Sequence, residues 1–168
     1  TDVGGVRLNL QDAEAVARGF AAIDASVRRF FPTAAIQGIA VQEMVVGGKE
    51  VILGMTRDAR FGPLLMFGLG GIYVEVFSDV TFRVAPLSRA DAEEMIEEVR
   101  GKRLLEGARG NPPVDREVLI KALLSLSHML VQNPSIIEVD INPLLVLEHG
   151  AAAVDARVVL ASDSPASK

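Results

Sequence analysis

Three oxygen-bearing side chains recur at alternate positions in Glu138-Val139-Asp140-Ile141-Asn142-Pro143. In an extended strand alternate residues share a face. Glu138, Asp140 and Asn142 therefore form one row, and Ile137, Val139 and Ile141 turn the other way, toward a core. A turn at Glu148-His149-Gly150 folds the next strand back, so that Asp155 falls opposite or diagonal to Asn142 on the same face, with the register open by a step of two. Carboxylate and carboxamide oxygens suit Mg²⁺, which takes one or two carboxylates and completes its shell with water and nucleotide phosphate. The competing reading is a half-buried hairpin with a solvated polar face, the commoner case on pattern alone. Pro143 leans against it: a proline inside a strand-like run needs an edge or a bulge, and bulges are frequent beside active sites.

A second candidate is Gly68-Leu69-Gly70-Gly71, which runs from strand to strand. Without a following helix it is neither a dinucleotide fingerprint nor a phosphate loop of the Walker type. It makes either a tight turn or a place where backbone approaches a ligand. Glu75 follows inside the apolar run Ile72 to Val76, and a carboxylate there needs a partner or a function. Arg57, Asp58 and Arg60 are near in sequence, as that partner or as holders of phosphate. His128 and His149 have no visible carboxylate partner and read as surface residues.

These residues need elements to hold them. A strand is expected over Val6–Leu10, then a helix capped by Asn9 with its stripe at Ala13, Val16, Ala17, Phe20, Ile23 and Val27. Ile36–Val46 and Glu50–Thr56 read as a hairpin across Gly47-Gly48. Strands follow at Leu64–Phe67, Ile72–Phe77 and Thr81–Ala85. Ser88 and Asp91 form a capping box for a helix burying Ala92, Met95, Ile96 and Val99. Residues 101–113 are expected as loop, Asp115 caps a helix to about Val131, and strands over Ile136–Val146 and Ala152–Leu160 close the chain. Hairpins interrupted by helices imply an α+β fold with largely antiparallel sheets and packed helices.

The chain has 168 residues, 49% hydrophobic and only 5% aromatic, so its core is built from Val, Ile, Leu and Ala. A net charge of −5 denies it the basic face of a nucleic-acid binder. With no cysteine there is no disulfide or thiolate chemistry, which fits a reducing cytoplasm. The longest uncharged stretch, Phe61–Val74, is broken by glycine and proline and too short for a membrane span. Nothing sets an oligomeric state, and an oligomer is admitted. Residues 1–160 are expected as one domain and 161–168 as a flexible tail.

Val41-Gln42-Glu43-Met44-Val45, Gly48-Lys49-Glu50 through Met55, Arg57-Asp58, Phe61-Gly62-Pro63, Gly68 to Glu75, Glu138 to Leu144 and Val154-Asp155-Ala156 together resemble the ATP-grasp domain of ADP-forming acetyl-CoA synthetases, with the β subunits of succinyl-CoA synthetases as more distant relatives. The resemblance runs from Thr1 to about Leu160. It implies ATP or ADP between two antiparallel sheets, Mg²⁺ on Asn142 and Asp155 with Asp140 in support, adenine against the backbone of Glu43 and Val45, and ribose near Glu50. It places Arg57, Gly70, Gly71 and Glu75 near the phosphates or an arriving phosphohistidine, with Glu75 and Arg57 as the catalytic candidates. It implies an acid–thiol ligase that passes phosphoryl between nucleotide and a histidine, partnered by a CoA-binding or ligase domain or an α subunit. The family's His-Lys pair before Thr1-Asp2 and its earlier subdomain are not in this sequence, so the N-terminal part of the fold is expected to be missing and the chain alone to be inactive. The alternative is a non-catalytic nucleotide-binding regulatory module of a protein acetyltransferase.

Overall fold

The computed structural model describes residues 3–71, 78–107 and 112–161. They fall into two compact units, divided between Val46 and Gly47.

The first unit holds one helix, α1 (Ala13–Phe30). Its N-cap is Asp12, whose carboxylate accepts from the Ala15 amide at 2.7 Å. The cap therefore stands three residues later than the Asn9 expected from sequence; Asn9 itself has a left-handed φ of 59°. Leu10 packs on buried Gly19, and Ser26 Oγ donates to the Val3 carbonyl at 2.5 Å. Neither Val6–Leu10 nor Ile36–Val46 is a strand. The reason for the second is visible in the other unit: both edges of the strand meant to pair with it are already taken.

That strand is β1 (Lys49–Asp58), paired antiparallel with β2 (Gly62–Leu69) on one edge and with β4 (Ile136–Val146) on the other. β3 (Val80–Val84) adds to β2, while β5 (Ala151–Ala153) and β6 (Ala156–Leu160) add to the far edge of β4. Among the described residues every pairing is antiparallel, as expected, and the order is β3-β2-β1-β4-β5. β1 lies at the centre of this sheet, which explains its unbroken apolar run: Val51, Ile52, Leu53, Gly54 and Met55 are all buried.

Two helices supply the rest of the core. α2 (Arg89–Glu98) starts at the expected capping box, Ser88 and Asp91 bonding reciprocally, and buries Ala92, Met95 and Ile96. α3 (Arg116–Gln132) starts at Asp115 and buries Leu119, Ile120, Leu123, Leu126 and Leu130. The core joins these to Val51, Leu53, Leu65, Phe67, Val139, Leu144 and Val146. Between the helices a 3-10 turn (Arg100–Leu104) is capped by buried Asp79, which accepts from the amides of Arg100 and Gly101 at 2.8 and 2.9 Å. None of the described helices is long and apolar enough to cross a membrane. The strand expected over Ile72–Phe77, with Glu75 in it, and the tail beyond Ala161 lie outside the described residues.

Candidate functional site

The last hairpin is paired in a single register along most of its length: Leu144 faces Ala153 on one side of a gap and Ile141 faces Ala156 on the other. Asn142 and Asp155 therefore occupy the same step, opposite each other, joined by a 3.1 Å bond from the Asn142 amide to the Asp155 carbonyl. The turn has Glu148 and His149 at its centre, closed by the Leu147 amide on the Gly150 carbonyl at 2.9 Å. This selects one register from those the sequence left open.

Both strands are irregular at that step. Val51 pairs with Leu144 but Leu53 with Ile141, so β4 carries one extra residue beside Ile52, and the Asn142-Pro143 peptide there is cis. Opposite, Val154 and Asp155 interrupt the return strand between β5 and β6. The bulge expected from Pro143 is present, and it reverses the alternation of faces: Val139 is buried before it, Leu144 and Val146 after it. A second shift beside Glu138 turns Ile136 inward and leaves Ile137 38% exposed, which corrects the expectation that Ile137 joins the core. Asn142 and Asp155 are exposed, and Asp140 is half-buried.

Glu138 does not extend the row freely. Its carboxylate is bound by the Arg157 guanidinium, and Arg157 stands directly opposite Asp140. Asp140, Asn142 and Asp155 remain as the oxygen set. Among the described residues no three His, Cys, Asp or Glu side chains converge as a metal cage. Two carboxylates and a carboxamide fit Mg²⁺, a hard cation that fills its other positions with water and phosphate.

Two steps along β1 from Ile52, at the same end of the sheet, Glu50 meets the glycine run. The Gly70 amide donates to the Glu50 carbonyl at 2.8 Å, and a Cβ on Gly70 would stand 2.7 Å from that of Glu50. Gly70 is thus a close-approach glycine whose N–H is already engaged, leaving it no amide for a phosphate. Gly71 is exposed, with a left-handed φ of 64°, and the Glu50 carboxylate lies 3.5 Å from where its Cβ would be. Glu50, Gly70, Gly71, Asn142 and Asp155 are brought to one end of the sheet by the register of β1.

Arg57 is not among them. It sits seven residues further along β1, roughly 23 Å at a strand's rise. Its Nε donates to the Ile136 carbonyl at 2.9 Å, and a terminal nitrogen donates to those of Leu130 at 3.0 Å and Asn133 at 3.3 Å. This guanidinium binds the carbonyls freed at the end of α3 and the start of β4, so its place is structural and away from the expected phosphates. Glu43 and Val45 lie in the first unit, in a segment without regular secondary structure, and Glu75 lies outside the described residues.

Two contributors were missed from sequence. Arg157 follows Asp155 by two residues, so strand parity alone could have flagged it. Asp115 was legible as a helix cap, accepting from Val118 at 3.0 Å, but its other oxygen also accepts from the Gly150 amide at 3.0 Å. Its own amide donates to the Leu147 carbonyl at 2.7 Å. These bonds tether the turn of the site's hairpin to the helix, and the bonds from Gly150 and then Val118 hold the Asp115 carboxyl below its ordinary range.

An ATP-grasp domain model matches residues 1–160. The chain is 46% identical to acetate–CoA ligase (ADP-forming) I of Archaeoglobus fulgidus over 97% of its own length, but spans only 24% of that protein. It is 44% identical to the β subunit of acetate–CoA ligase (ADP-forming) I of Pyrococcus furiosus, covering 95% of this chain and 69% of the subunit. Among solved structures, the dinucleotide-forming acetyl-coenzyme A synthetase 1 of Ca. Korarchaeum cryptofilum with coenzyme A, Ca-AMPCP and HgCl⁺ gives a TM-score of 0.91 at 49% identity, covering 95% of this chain and 69% of that one. The same synthetase with coenzyme A and Mg-AMPPCP, its phosphohistidine segment pointing towards the nucleotide binding site, gives 0.83 at 45% identity over the same shares.

Proposed function

The chain belongs to the ATP-grasp domain family, and we propose on that premise that it is the nucleotide- and Mg²⁺-binding part of an ADP-forming acyl-CoA synthetase, of the kind that uses acetyl-CoA. It spans about a quarter of its single-chain relative and about two thirds of a β subunit. Activation of the acid and capture of CoA accordingly fall to a partner domain or subunit, and the phosphoryl group travels between the two on a histidine supplied from outside this sequence. Residues 1–160 form the partial ATP-grasp domain, 161–168 the appended tail, and the cytoplasm is the compartment this chemistry suits.

The observation that carries the reading is the coincident break of both strands at Asn142-Pro143 and Val154-Asp155. It frees two oxygen-bearing residues from regular pairing, opposite each other, at the end of the sheet where Glu50 meets the glycine run. Asn142 and Asp155 would hold Mg²⁺, with Asp140 in support, and the ion would neutralise charge on the transferring phosphoryl group. Glu50 would bind ribose, Gly71 would let the chain pass close to phosphate, and the backbone of Glu43 and Val45 would hold adenine. Gly70 contributes by letting the run approach Glu50. Glu75 would act near the phosphates or the arriving phosphohistidine, and Arg57 is assigned to the junction of β4 and α3. The relatives described above are ligases, and none favours the regulatory-module alternative.

Calorimetric titration of ADP and ATP into the full-length protein, with Mg²⁺ and then with chelator, tests this. Binding should require Mg²⁺ and fall at least about tenfold, some 1.4 kcal/mol, in Asn142→Ala. Binding indifferent to both the metal and Asn142 would sink the proposal.

A further inference from the structure

Beyond its bond to Glu138, Arg157 has a specific position on the sheet. It stands opposite Asp140, in the strand that begins directly after Asp155. A guanidinium is thereby placed two steps from the Asn142–Asp155 pair. Its present partner is Glu138, and both side chains are well exposed, at 61% and 43%. An ion pair so open to water is held weakly and is easily exchanged. A planar guanidinium is also the side chain best matched to a phosphate, offering two parallel donors.

We infer that Arg157 is an exchangeable anion contact: its guanidinium, paired with Glu138, can leave that carboxylate for the phosphates beyond the α position of a nucleoside di- or triphosphate. Glu138 is then a competitor for the guanidinium. The inference deepens the nucleotide reading and rests on it for the identity of the anion. It assigns to two residues opposite effects on one affinity.

That opposition is the test. ADP and AMP, each with Mg²⁺, are titrated into the full-length protein and its Arg157→Met, Arg157→Lys and Glu138→Gln variants. Arg157→Met should weaken ADP about tenfold or more and leave AMP nearly unchanged, and Arg157→Lys should restore part of the loss. Glu138→Gln should tighten ADP severalfold by releasing the guanidinium. A purely structural ion pair predicts the same sign for Glu138→Gln and Arg157→Met. That result, or an ADP affinity untouched by Arg157→Met, overturns the inference. Asn142→Ala separates it from the metal reading: if binding ignores Mg²⁺ and Asn142 but still falls in Arg157→Met, the metal assignment fails and the anion contact stands.

Discussion

The β1–β2 hairpin keeps one register from Val51 facing Leu69 to Asp58 facing Gly62. The hairpin of β4 with β5 and β6 loses its regularity in both strands at Asn142-Pro143 and Val154-Asp155. The first contributes Val51, Leu53, Met55, Leu65, Phe67 and Leu69 to the core, and its tip is closed by Asp58 on the amides of Arg60 and Phe61. The second shares core residues on either side of its break, but at the break its residues are exposed and oxygen-rich. Unbroken pairing satisfies every backbone group and leaves none for a ligand. The interruption gives up a little pairing and gains a place where side chains from two strands meet outside the ladder.

The largest expected effect belongs to the regular hairpin. Phe67 is wholly buried between sheet and helices, and Phe67→Ala should lower unfolding free energy by about 3–5 kcal/mol in denaturant titration. A loss below about 1 kcal/mol would mean that stability does not reside where the pairing is continuous, and the contrast between the hairpins would fail.

Arg57 links the two. It belongs to β1, and its guanidinium reaches the carbonyls of Leu130, Asn133 and Ile136 at the junction of α3 and β4. Arg57→Met should cost about 1.5–3 kcal/mol of stability, the range for hydrogen bonds to a charged group. Nucleotide affinity, measured on the same variant, should change little. A tenfold drop in affinity at unchanged stability would return Arg57 to the phosphates.

Much of this contrast was readable in advance, and the parts that were not have a common cause. The row Glu138, Asp140, Asn142 and the disturbance at Pro143 follow from alternation and from proline's missing N–H, both local properties. The caps Ser88, Asp91 and Asp115 are local too, and the structure bears them out. What failed depended on partners distant in sequence. The segment Ile36–Val46 has strand composition, yet β1 has no free edge for it once β2 and β4 are in place. Arg57 precedes an aspartate beside a loop, which suggests phosphate, yet its acceptors lie more than 70 residues away. Glu138 matched the metal row by parity, and only the register of β6 reveals the arginine that holds it.

The smallest effect concerns what keeps the broken hairpin in place. Asp115 accepts from Val118 in α3 and from Gly150 in the turn, and these bonds favour the ionised carboxyl, lowering its pKa from the ordinary 3.8. A group more acidic in the folded chain than in the unfolded one stabilises the fold fully above its unfolded value. The contribution is lost as pH falls through the lower, folded value. Asp115→Asn keeps a capping oxygen but cannot supply two charged acceptors. The wild-type advantage over the variant should therefore be present from neutrality down to about pH 4 and shrink below it, measured as a difference so that the protein's other lowered carboxyls cancel. If the advantage instead stays constant into strong acid, the tether does not depend on charge, and the turn of the site hairpin is held by the Leu147 and Asp115 backbone bond alone.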